Sequence, residues 1–275
     1  HTLSLHDALP IRTPLHWAAE KGHMKIVSLL LQHGATPDSA DFKGLKPLHL
    51  AAKNNHADVV RLLLQAGVDP LTPKTQENHR GRIRGGEKRT KGETAVEYLC
   101  YLGHTESILE ILPFVKPETL NEILCSCCRY GQVEATRAVL QNSSVSSNAI
   151  FEGASALYLA TNHPSAKCVD LLLDRGADPN LASEWQPMMF HRWHRVPRKD
   201  CGMPLHKLAL LWRSPRADYQ LIFDSLVKAG ADLEAKARAE ETPLLLLLNT
   251  NSGSSSTNNS YLQERRWSET FGPVL

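Results

Sequence analysis

The chain contains 275 residues, of which 42% are hydrophobic, and its 31 lysines and arginines nearly balance 29 aspartates and glutamates. A net charge of +2 excludes a protein that is strongly basic along its whole length. No apolar run reaches the roughly 18 residues that a membrane-spanning helix needs, so we expect no membrane partner. Six scattered cysteines favour a reducing compartment, and we expect an intracellular location, cytoplasmic or nuclear.

The first residues differ in origin from the rest of the chain. Residues 2–11, Thr-Leu-Ser-Leu-His-Asp-Ala-Leu-Pro-Ile, resemble the in-frame translation of a common sequencing adapter. They lack the basic start and the long apolar centre of a signal peptide. We therefore predict that residues 1–11 are a non-native leader and that the fold begins at residue 12.

A sequence block recurs with a fixed period from residue 13 onward. Residues 13–19 read Thr-Pro-Leu-His-Trp-Ala-Ala, and residues 46–52, 33 positions later, read Lys-Pro-Leu-His-Leu-Ala-Ala. A Leu-Leu-Leu run and a glycine close each block, at Gly34 and at Gly67. Recurrence at a period of this length predicts a stack of similar units, which is typical of proteins that bind other proteins.

Each block predicts two short helices. Thr13 can cap the first helix through its hydroxyl, and Pro14 suits its first turn because the missing N–H costs nothing there. Apolar residues then recur with helical spacing until Gly22 ends the helix. The second helix has the same spacing and ends before Gly34, where a left-handed backbone favours glycine.

Further copies follow in the same register. The fourth is degenerate and the seventh is incomplete. The third to the seventh copies begin at Thr94, at about Glu122, at Ser155, at Met203 and at Thr242.

These blocks resemble the ankyrin repeat, whose unit of about 33 residues contains a helix–turn–helix and a hairpin loop. The resemblance covers residues 12–249 and implies an all-α solenoid of about seven helix–turn–helix units with short hairpin loops. Because the first copy is of the central type and the last is incomplete, we expect the natural chain to extend beyond both ends. Residues 250–275 are expected to be a flexible tail or an interruption of the final repeat.

Two insertions of about 15 residues lengthen the repeat period. Residues 74–91 carry seven lysines and arginines against Glu77 and Glu87, which makes a local basic patch. Residues 184–200 are rich in Trp, Met and Phe, and we expect them to fold back on the stack or to meet a partner.

Motifs for catalysis are missing from the sequence. The chain has no G-x-S-x-G elbow, no H-E-x-x-H pair and no G-x-x-x-x-G-K-S/T phosphate loop. We therefore predict that it is not an enzyme and that it binds no cofactor and no metal. A weaker zinc alternative beside the second insertion matches no familiar spacing and would use His191, His194, Cys201 and His206.

Histidines and cysteines fit structural roles better than chemical ones. Cys125 and Cys128 share one helical face while Cys127 points elsewhere, and we expect most of these thiols to be buried and reduced. The ankyrin resemblance implies that one set of histidines bonds neighbouring units and that a second supports the turn between helices. The first set is His16, His49 and His206, and the second is His23, His56 and His104.

The ankyrin resemblance also implies where a partner binds. In that family, partner contacts fall around the hairpin glycine and at the last positions of the first helix, along one concave groove. Phe42 and Phe151 are the informative pair, because an aromatic side chain at an exposed tip is typical of a binding hot spot. Carried onto this chain, the positions are Glu20, Lys21, Phe42, Lys43, Leu45, Lys53, Asn54, Phe151, Glu152, Asn162 and His163.

The sequence therefore predicts a monomeric scaffold or adaptor that binds a partner protein of unknown identity along this groove. An alternative makes the chain the recognition arm of a larger multidomain signalling protein or enzyme. In that alternative, the basic insertion 74–91 contacts nucleic acid or serves as a nuclear import signal.

Overall fold

The computed structural model describes residues 12–74, 94–163, 165–185, 200–211, 217–237 and 241–246. The predicted leader, most of both insertions and the tail 250–275 lie outside these residues. Within them, the structure contains six pairs of helices and one further helical turn at 243–246.

Each repeat contributes two helices, and in the first four repeats a tight turn joins them. In the first three repeats the helices are α1 (Pro14–Glu20) and α2 (Met24–Gln32), α3 (Pro47–Lys53) and α4 (Ala57–Gln65), and α5 (Ala95–Leu102) and α6 (Thr105–Ile111). In the next three they are α7 (Leu120–Arg129) and α8 (Val133–Leu140), α9 (Ala156–Ala160) and α10 (Ala166–Asp174), and α11 (Pro204–Leu211) and α12 (Ala217–Lys228).

The helices pack in two parallel rows. Each first helix contacts the first helices of its neighbours, as α3 does with α1 and α5, and each second helix does the same, as α4 does with α2 and α6. Small residues such as Ala19 and Ala52, both fully buried, let neighbouring helices approach closely. One continuous apolar core runs from Leu15 to Leu226, which confirms the predicted all-α solenoid.

Short antiparallel connections join successive repeats. The strands β1 (Ile150–Phe151) and β2 (Ala154–Ser155) form a hairpin whose two turn residues, Glu152 and Gly153, have φ values of 52° and 81°. Positive φ at both positions is the geometry of a type I′ turn. The strands β3 (Ser183–Trp185) and β4 (Asp200–Gly202) pair in the same way on either side of the second insertion.

The connection between the third and fourth repeats differs from the others. Two 3₁₀ turns, Leu112–Phe114 and Pro117–Thr119, lead into α7, which begins at Leu120 rather than at about Glu122. Pro113 and Pro117 each occupy one of the first two positions of these turns, where a missing N–H leaves no helical hydrogen bond unmade. The fourth repeat is therefore degenerate in its loop, whereas its first helix is the longest of the first helices in the described residues.

Helix starts are capped in two ways. Thr94 caps α5, because its Oγ1 accepts a hydrogen bond from the Glu97 N–H at 3.1 Å while the Glu97 carboxylate accepts one from the Thr94 N–H at 3.0 Å. At Thr13, the N-cap of α1, the capping arrangement instead uses the side chain of His16 at the third helical position. The Oγ1 of Thr13 lies 2.8 Å from His16 Nδ1, and that nitrogen also accepts from the Thr13 N–H at 3.2 Å.

Candidate functional site

The two residues immediately before Gly22, Asn55, Gly103 and Gly131, at the C-terminal end of each first helix, form a row at the surface, the helix ridge. In the first four repeats these pairs are Glu20 and Lys21, Lys53 and Asn54, Tyr101 and Leu102, and Arg129 and Tyr130. Tyr101 is 59% exposed, and its ring meets that of Tyr130 edge to face at 5.6 Å. The ridge therefore continues across the repeat boundary as an aromatic pair.

Two hairpin tips stand opposite the helix ridge. The first tip (residues 41–45) is held by buried Asp41, whose Oδ1 accepts hydrogen bonds from the Lys43 N–H at 2.8 Å and the Leu45 N–H at 2.9 Å. Phe42 is 44% exposed on this tip, and the ammonium of Lys43 lies 5.4 Å from its ring. The tip thus presents an aromatic ring on a fixed backbone.

The second tip (residues 150–155) exposes a different apolar residue from the one predicted. Phe151 is half-buried and packs against the core, whereas Ile150 beside it is 55% exposed. Strand alternation explains this difference, since neighbouring side chains point to opposite faces.

Salt bridges tie the helix ridge to both tips. The Arg12 guanidinium lies 2.8 Å from a carboxylate oxygen of Glu20 and 3.3 Å from one of Asp41. In the fourth repeat, the Arg129 guanidinium lies 3.6 Å from a carboxylate oxygen of Glu152. The ridge and the tips are therefore the two borders of one surface, which we call the groove.

Most of the predicted partner-contacting residues lie on these two borders. Glu20, Lys21, Lys53 and Asn54 belong to the helix ridge. The residues on the tips are Phe42, Lys43, Leu45, Phe151 and Glu152, and of these Leu45 and Phe151 are half-buried.

The last two predicted residues lie in the fifth repeat. Asn162 is half-buried just after α9. His163 is exposed, but its ring lies where a Cβ on Gly131 would come within 2.6 Å of Nδ1. The His56 ring has the same relation to Gly22, so His163 belongs to the turn between helices rather than to the helix ridge.

The sequence analysis missed four residues on the helix ridge. Tyr101 and Leu102 precede Gly103, and Arg129 and Tyr130 precede Gly131, as Glu20 and Lys21 precede Gly22. Counting back from the turn glycine would have found them.

The charge of the groove is uneven along its length. Three exposed lysines, Lys21, Lys43 and Lys53, surround the first tip, while the carboxylate of Glu20 is held by Arg12. Towards the fourth repeat the surface becomes aromatic around Tyr101.

Histidines of the two repeated positions hold neighbouring repeats together. The Nε2 of His16 lies 3.1 Å from the Leu45 carbonyl oxygen, and the Nε2 of His56 lies 3.0 Å from that of Glu20. His206 engages both ring nitrogens, since Nδ1 accepts from the Met203 N–H and Nε2 lies 3.1 Å from the Ala235 carbonyl oxygen. Burial lowers the pKa of His16 and of His206, so both rings stay neutral and structural.

All five cysteines whose side chains the structure describes are free and buried. Cys127 lies on another side of the helix from Cys125 and is buried as well: its Sγ lies 3.7 Å from that of Cys100, whereas Cys125 Sγ lies 3.7 Å from the Ala149 carbonyl oxygen. Burial raises the pKa of Cys125 to about 12, which keeps this thiol protonated and unreactive. Among the described residues, no three metal-ligating side chains come together.

A search of the described helices for membrane spans finds none with the length and apolarity to cross a bilayer. The longest of them, α12, has 12 residues.

Comparison with known proteins identifies the repeat unit. The family model for ankyrin repeats (3 copies) matches residues 3–74 and 95–183, which is more than half of the chain, and the match begins within the predicted leader.

Solved structures share the fold at low sequence identity. The ankyrin repeat domain of Bcl-3, described as a unique member of the IkappaB protein family, aligns with a TM-score of 0.59 and 24% identity over 86% of this chain and 94% of that one. The human ASB11 ankyrin repeat domain gives 0.56 and 19% over 92% and 98%. An ankyrin repeat domain from Acinetobacter baumannii gives 0.54 and 22% over 80% and 98%.

Curated proteins match over one repeat only. Palmitoyltransferase ZDHHC13 from Homo sapiens, Mus musculus and Pongo abelii is 59% identical over 32 residues. This match spans 12% of the chain and 5% of the relative's length, so it carries no information on an activity.

Proposed function

Because this chain belongs to the ankyrin-repeat family, whose fold is a non-catalytic interaction fold, we propose that it is a scaffold or adaptor that binds a partner protein along the groove. The partner lies between the helix ridge and the two tips and contacts side chains of several repeats at once. An interface across three or four repeats would bury on the order of 800 Å² on this chain, which suffices for specific binding.

The aromatic pair of exposed Tyr101 and half-buried Tyr130 is the observation that carries this proposal. Tyrosines are enriched in binding hot spots because a large ring buries much area at a small cost in side-chain entropy. Here the two rings support each other at 5.6 Å, so their positions are set before a partner arrives. The salt bridge from neighbouring Arg129 to Glu152 also fixes the second tip beside them.

The groove combines this aromatic centre with a basic end. Lys21, Lys43 and Lys53 would meet acidic or polar groups of the partner at the rim, where charges chiefly raise the association rate. Phe42 is the apolar anchor at that end. Phe151 is a weaker anchor than expected from sequence because the core already covers part of its ring.

Affinity capture with matched variants tests the proposal. The full chain and its Tyr101→Ala and Phe42→Ala variants are used as baits in a cell extract, with Phe114→Ala as the control. Phe114 is 40% exposed and follows the second helix α6, so it belongs neither to the helix ridge nor to either tip. We expect the first two variants to lose a protein that the parent chain and the control retain. Equal retention by all four baits would contradict a partner site in the groove.

The recognition-arm alternative stays a prediction. The basic insertion on which its nucleic-acid or nuclear-import role depends lies outside the described residues after Lys74. Replacing Arg80, Arg82 and Arg84 by Ala tests it, since unchanged binding to nucleic acid and unchanged nuclear entry would dispose of both roles.

A further inference from the structure

One side of the first repeat is exposed where every later repeat is covered. Ile26 of α2 is 48% exposed, whereas the residues at the same repeat position are at most 1% exposed. These equivalents are Val59, Ser107, Ala135, Cys168 and Ile222. In each later repeat the preceding helix pair packs against the helix that carries this position, as α2 packs against α4, which carries Val59.

The same contrast holds at other positions of this side. Trp17 of α1 is 51% exposed, while its equivalents Leu50, Ser126, Leu159 and Lys207 are buried and Tyr98 is half-buried. Pro14 is exposed and all five of its equivalents are buried. Met24 and Leu29 are exposed and their equivalents are half-buried. We call this surface, Pro14, Trp17, Met24, Ile26 and Leu29, the upstream flank.

The upstream flank is apolar throughout, which is unusual for a free end. Terminal repeats of a solenoid normally present polar residues to water. Five neighbouring apolar side chains at positions that elsewhere form the stacking interface indicate that this face continues that interface.

We propose that the upstream flank is the docking face for one further helix–turn–helix unit of the same repeat type, carried by the natural polypeptide upstream of residue 12. The order of the repeats favours this occupant. In each later repeat the equivalent surface is covered by the unit that lies one period earlier in the chain. Covalent linkage also gives such a unit a high effective concentration at the flank.

Two other occupants fit the flank less well. Residues 1–11 are too few to form a two-helix unit of about 33 residues. A second copy that docked in the register of the stack would need to offer the far end of its stack, where the chain already continues into a helical turn at 243–246. His206 Nε2 lies 3.2 Å from the Glu241 carbonyl oxygen, just before the helical turn at 243–246.

A chimera tests the docking face. Residues 1–11 are replaced by a second copy of residues 12–44, in which the copied tryptophan is changed to leucine so that Trp17 reports alone on the new interface. Subtracting the spectrum of the matching Trp17→Leu chimera isolates its fluorescence. We expect the added unit to shift the Trp17 emission to shorter wavelength, to reduce its quenching by acrylamide and to raise the urea midpoint of unfolding.

Ile26→Asp is the matched control. It should remove the gain in urea midpoint in the chimera and change the unextended chain far less. Unchanged Trp17 fluorescence in the chimera, or an equal loss from Ile26→Asp in both chains, would overturn the docking face. Protection of Trp17 in the unextended chain at high protein concentration would identify a second copy instead.

Sequencing the natural transcript upstream of codon 12 tests the source of the occupant. The proposal expects a repeat in register one period earlier, with apolar residues at the positions that face the flank. Any other sequence would overturn it, whatever the result for the groove.

Discussion

The turn glycine of the first repeat offers a sharp test of how neighbouring repeats interlock. Gly22 and Gly34 both have left-handed backbones, with φ of 72° and 81°. A Cβ added at Gly22 would lie 2.5 Å from Nδ1 of His56, whereas a Cβ at Gly34 would meet no atom within 4 Å. Alanine therefore strains the backbone at both positions, but it collides with the next repeat only at Gly22.

The two costs can be separated. A left-handed alanine costs about 1–2 kcal/mol, and restriction of the unfolded chain offsets about 0.4–1 kcal/mol of that. Gly34→Ala should therefore destabilise the fold by about 1 kcal/mol. Gly22→Ala also displaces the His56 ring from its 3.0 Å contact with the Glu20 carbonyl oxygen. A lost hydrogen bond adds about 0.5–1.5 kcal/mol, which gives a total of about 2 kcal/mol.

Urea unfolding of a double-mutant cycle measures this difference. In a His56→Ala background the collision is gone, so the cost of Gly22→Ala should fall to that of Gly34→Ala. Equal costs for Gly22→Ala and Gly34→Ala in the parent chain, or an unchanged cost in the His56→Ala background, would refute the inter-repeat contact.

Other properties of the stack are measurable in the same way. Leu63→Ala should lower the free energy of unfolding by about 2–5 kcal/mol through lost burial and a cavity, whereas Leu221→Ala, at an exposed position, should change it by less than about 0.5 kcal/mol; similar urea midpoints would contradict the core. Because burial lowers the pKa of His16 and His206, their contribution to stability is fully present above the ordinary histidine pKa of 6.5 and is lost as the pH falls through the lowered value. The urea midpoint should thus fall from pH 7.5 to pH 5.5, and less so in His16→Gln; a rise would contradict the assignment. Buried Cys128, with a pKa well above 9.0, should react with a thiol reagent only as fast as the chain opens, and rapid labelling in the native state would count against the packing of α7.

The repeat pattern predicted most of the fold because each position of the period has one physical role. Pro14 begins α1 and Pro47 begins α3, 33 residues apart as expected. The pattern did not predict burial that depends on contacts with neighbouring repeats. Periodicity separated Cys127 from the face of Cys125 and Cys128 but did not show what covers it; α7 packs between α5 and α9 and is buried on both sides.

The sequence predicted residues of the groove only where the repeat spacing identified equivalent positions in successive repeats. Glu20 and Lys53 were found because their repeats keep the usual spacing, and Tyr101 could have been found by counting back from Gly103. His163 lies against Gly131 because α9 ends early, at Ala160, so the turn before α10 has five residues, against three between α1 and α2. Exposure at the tips depends on strand alternation, which exposes Ile150 and partly covers Phe151.

Site-specific photo-cross-linking in cells tests the central claim most directly. A photoreactive benzophenone amino acid is placed at position 42, at position 101 or, as a control outside the groove, at position 114. The account predicts that positions 42 and 101 cross-link to the same partner protein and that position 114 does not. Adducts that are absent from positions 42 and 101, or that form equally at position 114, would contradict a partner-binding groove.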